Sequence, residues 1–388
     1  MKRCIPISQP SITDLEVAYV TDAVKSGWVS SQGDYIKKFE RNFAEYCGTR
    51  YALSTASGTT ALHLALVSYG IGSGDEVIVP DLTFVATANV VTYVNAKPVF
   101  VDVDPKTLCI DPDHVERAIT AKTKAIIAVH LYGHPAAMNV LRTLAQQYNL
   151  YLIEDAAEAH GAIHNGQRAG NLGDCAAFSF YGNKLITSGE GGMLTTNDEG
   201  FYRRAKYLRD HAMSPQRRYW HTEVGYNYRI TNLQAALGVA QLERIDDFLV
   251  KKQNIFERYR SHLEDISNLR LNFVEQGSKS SYWMVCLQVD DYSEKQRDQL
   301  MTFLKKRGID SRPYFYPLSA LPMYADSAVH TPIAHTAAAQ GINLPSYFDM
   351  SDADIDYICQ TLVRYFVPTK LTIALPTSPL AEEVLVAG

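Results

Sequence analysis

Between residues 50 and 200, short runs rich in Val and Ile alternate with stretches of helical periodicity. Residues 76–80, 98–102, 125–130 and 151–155 are each rich in Val or Ile and read as buried strands. Between them, residues 60–69 and 138–148 predict helices. This alternation predicts an α/β domain with a mainly parallel sheet sandwiched by helices. In such open sheets ligands gather beyond the carboxyl ends of the strands. Asp102, His130 and Asp155 all occupy positions of that kind.

Further along, Leu233, Leu237, Ala240, Leu242, Ile245 and Leu249 recur at intervals of three or four, with a single two-residue step. They predict an amphipathic helix from a cap at Thr231 or Asn232 to about Lys252. A strand at 282–289 and a helix at 293–306, stopped by Gly308, predict a smaller α+β domain at the C-terminal side. The chain is thus expected to divide into a large domain (1–250), a small domain (251–370) and a tail (371–388) containing Pro376 and Pro379. A length of 388 residues suffices for a substantial core without disulfide or metal staples.

Composition narrows the function. Forty-two acidic residues against 37 Lys and Arg give a net charge of −5, which argues against partners such as nucleic acid or anionic membrane surfaces. No stretch approaches the roughly 18 apolar residues of a membrane span. The first ten residues carry two positive charges with no apolar run behind them, unlike a signal peptide. A soluble cytoplasmic protein is expected. The six cysteines are spaced too widely for a zinc ribbon or disulfide framework. His130/His134 and His160/His164 share an i, i+4 spacing, but Gly133, Pro135 and Gly161 interrupt any helix there, so no metal is expected. The 24 tyrosines suit half-buried, wet surfaces such as pockets or subunit contacts.

Three segments carry candidate chemistry. Ala56-Ser57-Gly58-Thr59-Thr60 runs directly into a helix, so its free backbone N–H groups and hydroxyls suit a phosphate, although such residues also serve as plain caps. Glu154-Asp155-Ala-Ala-Glu158 places carboxylates just past a strand, where one can hold a proton on a heterocyclic nitrogen. Phe178-Ser179-Phe180-Tyr181-Gly182-Asn183-Lys184 sets a lysine among aromatics before the Gly-rich 187–192 loop. Burying an amine leaves it neutral and able to attack a carbonyl. A phosphate cradle, an anion and then a lysine, in that order, are the needs of pyridoxal phosphate.

With these residues in view, the chain resembles the sugar-nucleotide aminotransferases among the fold-type I pyridoxal phosphate enzymes. The likeness runs from about Pro6 to at least Tyr324. It includes Gly27-Trp-Val-Ser-Ser31, Asp75-Glu-Val-Ile-Val-Pro80, Glu154-Asp-Ala-Ala157, Gly189-Glu-Gly-Gly192 and Asn227-Tyr-Arg229. Glu158, Arg218-Tyr-Trp-His221, Ser311-Arg-Pro-Tyr-Phe-Tyr-Pro317 and Leu321-Pro-Met-Tyr324 look most like the subgroup that makes GDP-perosamine. The resemblance implies that Lys184 forms the Schiff base and Asp155 pairs with the pyridine nitrogen. Phe84 would stack on the ring, and Glu158 would lie near its phenolic oxygen, where many relatives have Gln. Ser57, Gly58, Thr59 and Ser179 would hold the phosphate, joined by Asn227 from the neighbouring subunit of a homodimer. Trp220, His221, Arg229, Arg312 and Tyr316 are the candidates for nucleotide-sugar contacts.

The implied reaction moves an amino group from L-glutamate to C4 of a nucleotide-linked 4-keto-6-deoxyhexose, GDP-4-keto-6-deoxy-D-mannose first among them. A UDP- or dTDP-linked sugar, or attack at C3, remains open at this point. A related sugar 3-dehydratase subgroup carries His at the position of Lys184, so the lysine favours amine transfer. A non-catalytic binding relative would not need the full set of Asp155, Lys184 and Ser179.

Overall fold

The computed structural model describes residues 4–325 and 329–367; the expected tail at 371–388 lies outside them. Seven strands form the central sheet. Across it they run Tyr51–Thr55, Gly192–Thr196, Cys175–Ser179, Tyr151–Asp155, Thr123–Val129, Glu76–Pro80 and Lys97–Val101. Only Gly192–Thr196 lies antiparallel to its neighbours; the other four pairings are parallel. Successive side chains point to opposite faces, and both faces are covered. Ile78, Ile126, Ala128 and Leu152 enter one hydrophobic cluster, while Val77, Val79, Ile127 and Ile153 enter the other. The apolar runs in the sequence are continuous for that reason.

The first cluster also takes Phe39 and Phe43 from the helix Asp34–Cys47 and Ala235 and Val239 from the helix Asn232–Glu243. The second takes Ala61, Leu62, Leu64 and Leu66 from the helix Gly58–Ser68. Thr231 caps Asn232–Glu243 through a capping box with Gln234. The single helix expected to run to about Lys252 is in fact two. The first ends at Glu243 and a second, Ile245–Leu263, follows. Arg244 between them has φ −109° and ψ 6°, and its guanidinium is held by Glu16 and, at 3.2 Å, by the Ser11 carbonyl.

Ile245 and Phe248 of the second helix lie in the first cluster, whereas Ile255, Phe256, Tyr259 and Leu263 belong to a third. That third core packs against a four-stranded antiparallel sheet ordered Leu269–Leu271, Val285–Val289, Gly341–Leu344 and Arg312–Pro313. Ile5 joins the same core and bridges to Ile309, so the start of the chain packs with its C-terminal part. The strand expected at 282–289 begins only at Val285. Tyr282 sits at φ +48°, outside the extended region, and the Trp283 carbonyl is taken by Lys252 rather than by a sheet neighbour.

Candidate active site

A cavity of about 430 Å³ opens at the carboxyl ends of the central strands. Its floor begins at the N-terminus of the helix Gly58–Ser68. The Ser57 hydroxyl caps that helix by accepting from the Thr60 N–H at 3.1 Å, while the Ser57 N–H donates to the Thr60 hydroxyl at 2.9 Å. The amides of Gly58 and Thr59 lie in the first turn, where the helix supplies no acceptor. A Cβ on residue 58 would lie 2.8 Å from the Ser179 Cβ, so glycine lets the helix start abut the end of the strand Cys175–Ser179.

Asp155 ends its own strand and is buried. Its Oδ2 accepts from the Thr87 hydroxyl at 2.8 Å and its Oδ1 from the Ala157 N–H at 3.3 Å. Burial raises its pKa above the usual carboxylate range, against the Thr87 hydrogen bond and the nearby Lys184 charge. Glu158, buried as well, accepts from the Tyr132 N–H at 2.9 Å and lies 3.5 Å from Lys184 Nζ. Burial pushes its carboxyl up, and the Lys184 charge opposes this. Tyr132 presents that N–H from φ +53°, an unusual conformation for a residue other than glycine.

Of the residues expected from the sequence, Ser57, Gly58, Thr59, Phe84, Asp155, Glu158, Ser179, Lys184 and Arg312 all line this one cavity. Phe84 keeps an exposed ring beside Phe315, with centroids 5.8 Å apart. Asn227, Trp220, His221, Arg229 and Tyr316 are not among the lining residues. Asn227 accepts from Arg229, which pairs with Asp210 at 2.9 Å. Trp220 is exposed under the Arg217 guanidinium, and His221 Nδ1 lies 2.8 Å from the His211 carbonyl. Tyr316 is also exposed.

Two other strand-end residues are engaged elsewhere. Asp102 accepts from Ile333 and Ala334 at the start of the helix Pro332–Gln340. His130 accepts from the Ala136 N–H through Nδ1 and therefore donates from Nε2 to Glu154 at 3.0 Å. Sequence reasoning missed Tyr132, Trp283 and Phe315, which also line the cavity. No local motif marks Tyr132 and Trp283, which tertiary packing alone carries there, whereas Phe315 lies within the 311–317 segment of the family resemblance without being singled out.

The residues present fit pyridoxal phosphate. Among the described residues, the side-chain oxygen of the cavity-lining Asn183 is buried without a hydrogen-bond partner and Asp155 is a buried carboxylate with no cation in direct contact, while the Gly58 start leaves an open cradle. A mostly parallel sheet with this constellation at its carboxyl edge defines the fold-type I class of pyridoxal phosphate enzymes. Within that class the chain belongs to the DegT/DnrJ/EryC1/StrS aminotransferase family, which matches residues 10–363.

Its relatives include the GDP-perosamine synthase of Caulobacter vibrioides, 45% identical over 94% of this chain and 98% of the relative. The GDP-perosamine synthase of Escherichia coli O157:H7 is 43% identical over 93% and 98%. Among solved structures, Spr1654 from Streptococcus pneumoniae in its PLP-form superposes with a TM-score of 0.87. It shares 31% identity and covers 92% of this chain and 97% of that one.

Proposed function

We propose that this enzyme transfers the amino group of L-glutamate to C4 of GDP-4-keto-6-deoxy-D-mannose, giving GDP-perosamine. The observation that carries the chemistry is the meeting of Lys184 with two buried carboxylates, Asp155 and Glu158, in one cavity. The choice of sugar nucleotide is supported by near full-length similarity to two GDP-perosamine synthases.

Pyridoxal phosphate, when bound, supplies an electrophilic carbon and a ring that takes up electrons from the donor's α-carbon. The amides of Gly58 and Thr59, with the Ser57 and Ser179 hydroxyls, bind its phosphate at the positive end of the helix. Asp155 holds a proton on the ring nitrogen, and the cationic N–H in turn offsets the cost of burying the carboxylate. Phe84 would orient the ring by stacking, and Glu158 would lie near its phenolic oxygen. Lys184 Nζ would anchor the cofactor and, as a free amine, would carry the donor's α-proton to the cofactor's imine carbon, with the reverse transfer serving the keto sugar. Arg312, at the cavity wall, is a cation suited to an anionic nucleotide sugar.

The same reading makes the enzyme a homodimer. Asn227, Trp220, His221 and Arg229 lie outside their own chain's cavity, which supports a role for this segment at the site of a second copy. Mass spectrometry of the product tests the reaction: transamination yields an amino sugar, and dehydration at C3 a deoxy sugar. Lys184→Ala abolishes turnover and borohydride trapping of the cofactor; wild-type rates in that variant would contradict the assignment.

A further inference from the structure

Trp283 enters the cavity from the C-terminal part of the chain, almost a hundred residues beyond Lys184 in sequence. Lys184 Nζ lies 4.0 Å from the centre of its ring system, and the indole N–H donates to the Asn183 carbonyl at 2.7 Å, one residue before the lysine. The indole thus touches both the amine and the backbone that presents it. Behind it, the Trp283 carbonyl accepts from Lys252 Nζ at 2.8 Å. Lys252 is fully enclosed on the helix Ile245–Leu263, and its other partners are the Ser346 carbonyl and, at 3.1 Å, the Ser346 hydroxyl. Lys252 Nζ also lies 5.3 Å from the centre of the Phe348 ring, and its bonds to uncharged oxygens offset part of the cost of burying the amine. Burial lowers its pKa to about 7.

We propose that Trp283 is a positioning residue for Lys184, holding its ammonium against the indole face beside Glu158, and that Lys252 fixes Trp283 by its backbone. This rests on the reading of Lys184 given above. An amino group 4.0 Å above an indole face is held there by the negative face of the ring's quadrupole. The ionisable groups that face Lys184 are Glu158 at 3.5 Å and, at longer range, Asp155 and His160. These three remain in place when Trp283 is changed, so a difference between variants reports on the indole.

The test is the rate at which an amine-directed reagent labels Lys184 at one fixed pH, read by peptide mass spectrometry on full-length protein freed of cofactor, with the exposed lysines as the internal standard. Trp283→Leu removes the π face and Trp283→Phe keeps one, while both lose the indole N–H and shield the amine to a similar extent. Lys184 labels severalfold faster in Trp283→Leu than in Trp283→Phe, which stays near the wild-type rate. A wall that merely shields the lysine would leave the two variants alike, so equal rates in them overturn the proposal. Lys252→Met speeds labelling as Trp283→Leu does, and a wild-type rate overturns the role of Lys252. Borohydride attachment of the cofactor at another lysine would instead overturn the reading of Lys184.

Discussion

Replacing Gly58 by alanine sets two effects of opposite sign against each other. Gly58 opens a helix without a positive φ, so alanine would normally gain roughly 0.5–1 kcal/mol there. The new Cβ, however, would lie 2.8 Å from the Ser179 Cβ and 3.2 Å from both the Phe178 carbonyl oxygen and the Ser179 Cα. Two of these three atoms are backbone, in a sheet strand that cannot swing aside. Overpacking of this kind costs about 1–3 kcal/mol, so the net change is a loss of up to about 2.5 kcal/mol and, for a chain of this length, a Tm lower by up to about 3 °C. Moving the helix start also displaces the amides that bind phosphate. Losing one hydrogen bond to a charged group weakens pyridoxal phosphate on the order of tenfold. Thermal unfolding without cofactor and absorbance titration with it read the two effects separately. A Tm that rises with cofactor affinity unchanged would refute the reasoning.

Other outcomes follow from the same site. Asp155→Asn retains attachment of the cofactor at Lys184 but lowers kcat on the order of 10²-fold or more, because an amide cannot hold the ring proton; near wild-type kcat would remove Asp155 from the mechanism. His160 is buried against Phe178 and Phe180, and burial lowers its pKa to about 3 from 6.5 in an open chain. Its native pKa is the lower one, so its contribution is complete above about pH 6.5 and is lost as pH falls towards 3, at roughly 1.4 kcal/mol per pH unit. His134, lowered by burial to about 4, adds the same slope over its own range. His160→Phe should flatten the acid limb of a denaturant-midpoint series between about pH 6 and 4. An unchanged slope would show that His160 is protonated in the native state.

The sheet was legible in the sequence because both its faces are buried. Tyr151–Asp155 and Glu76–Pro80 read as strands from apolar runs alone, and the alternation of Val77 and Ile78 then assigns each face its own core. The helix break at Arg244 was not, since apolar spacing resumes on both sides and only the ion pair with Glu16 reveals the change. Lys184, Asp155 and Ser57 could be singled out because each follows or precedes a strand or helix of recognisable pattern. Trp283 and Tyr132 could not. One sits where a strand was expected, turned by its bond to Lys252, and the other owes its place to a left-handed backbone that no residue type at 132 announces.

The most direct test offers the enzyme GDP-, UDP- and dTDP-linked 4-keto-6-deoxyhexoses with L-glutamate and compares kcat/KM. The account predicts a GDP preference on the order of 10²-fold or more and a 4-amino sugar as product. Faster amination of a UDP or dTDP substrate, or an amine at C3, would contradict it.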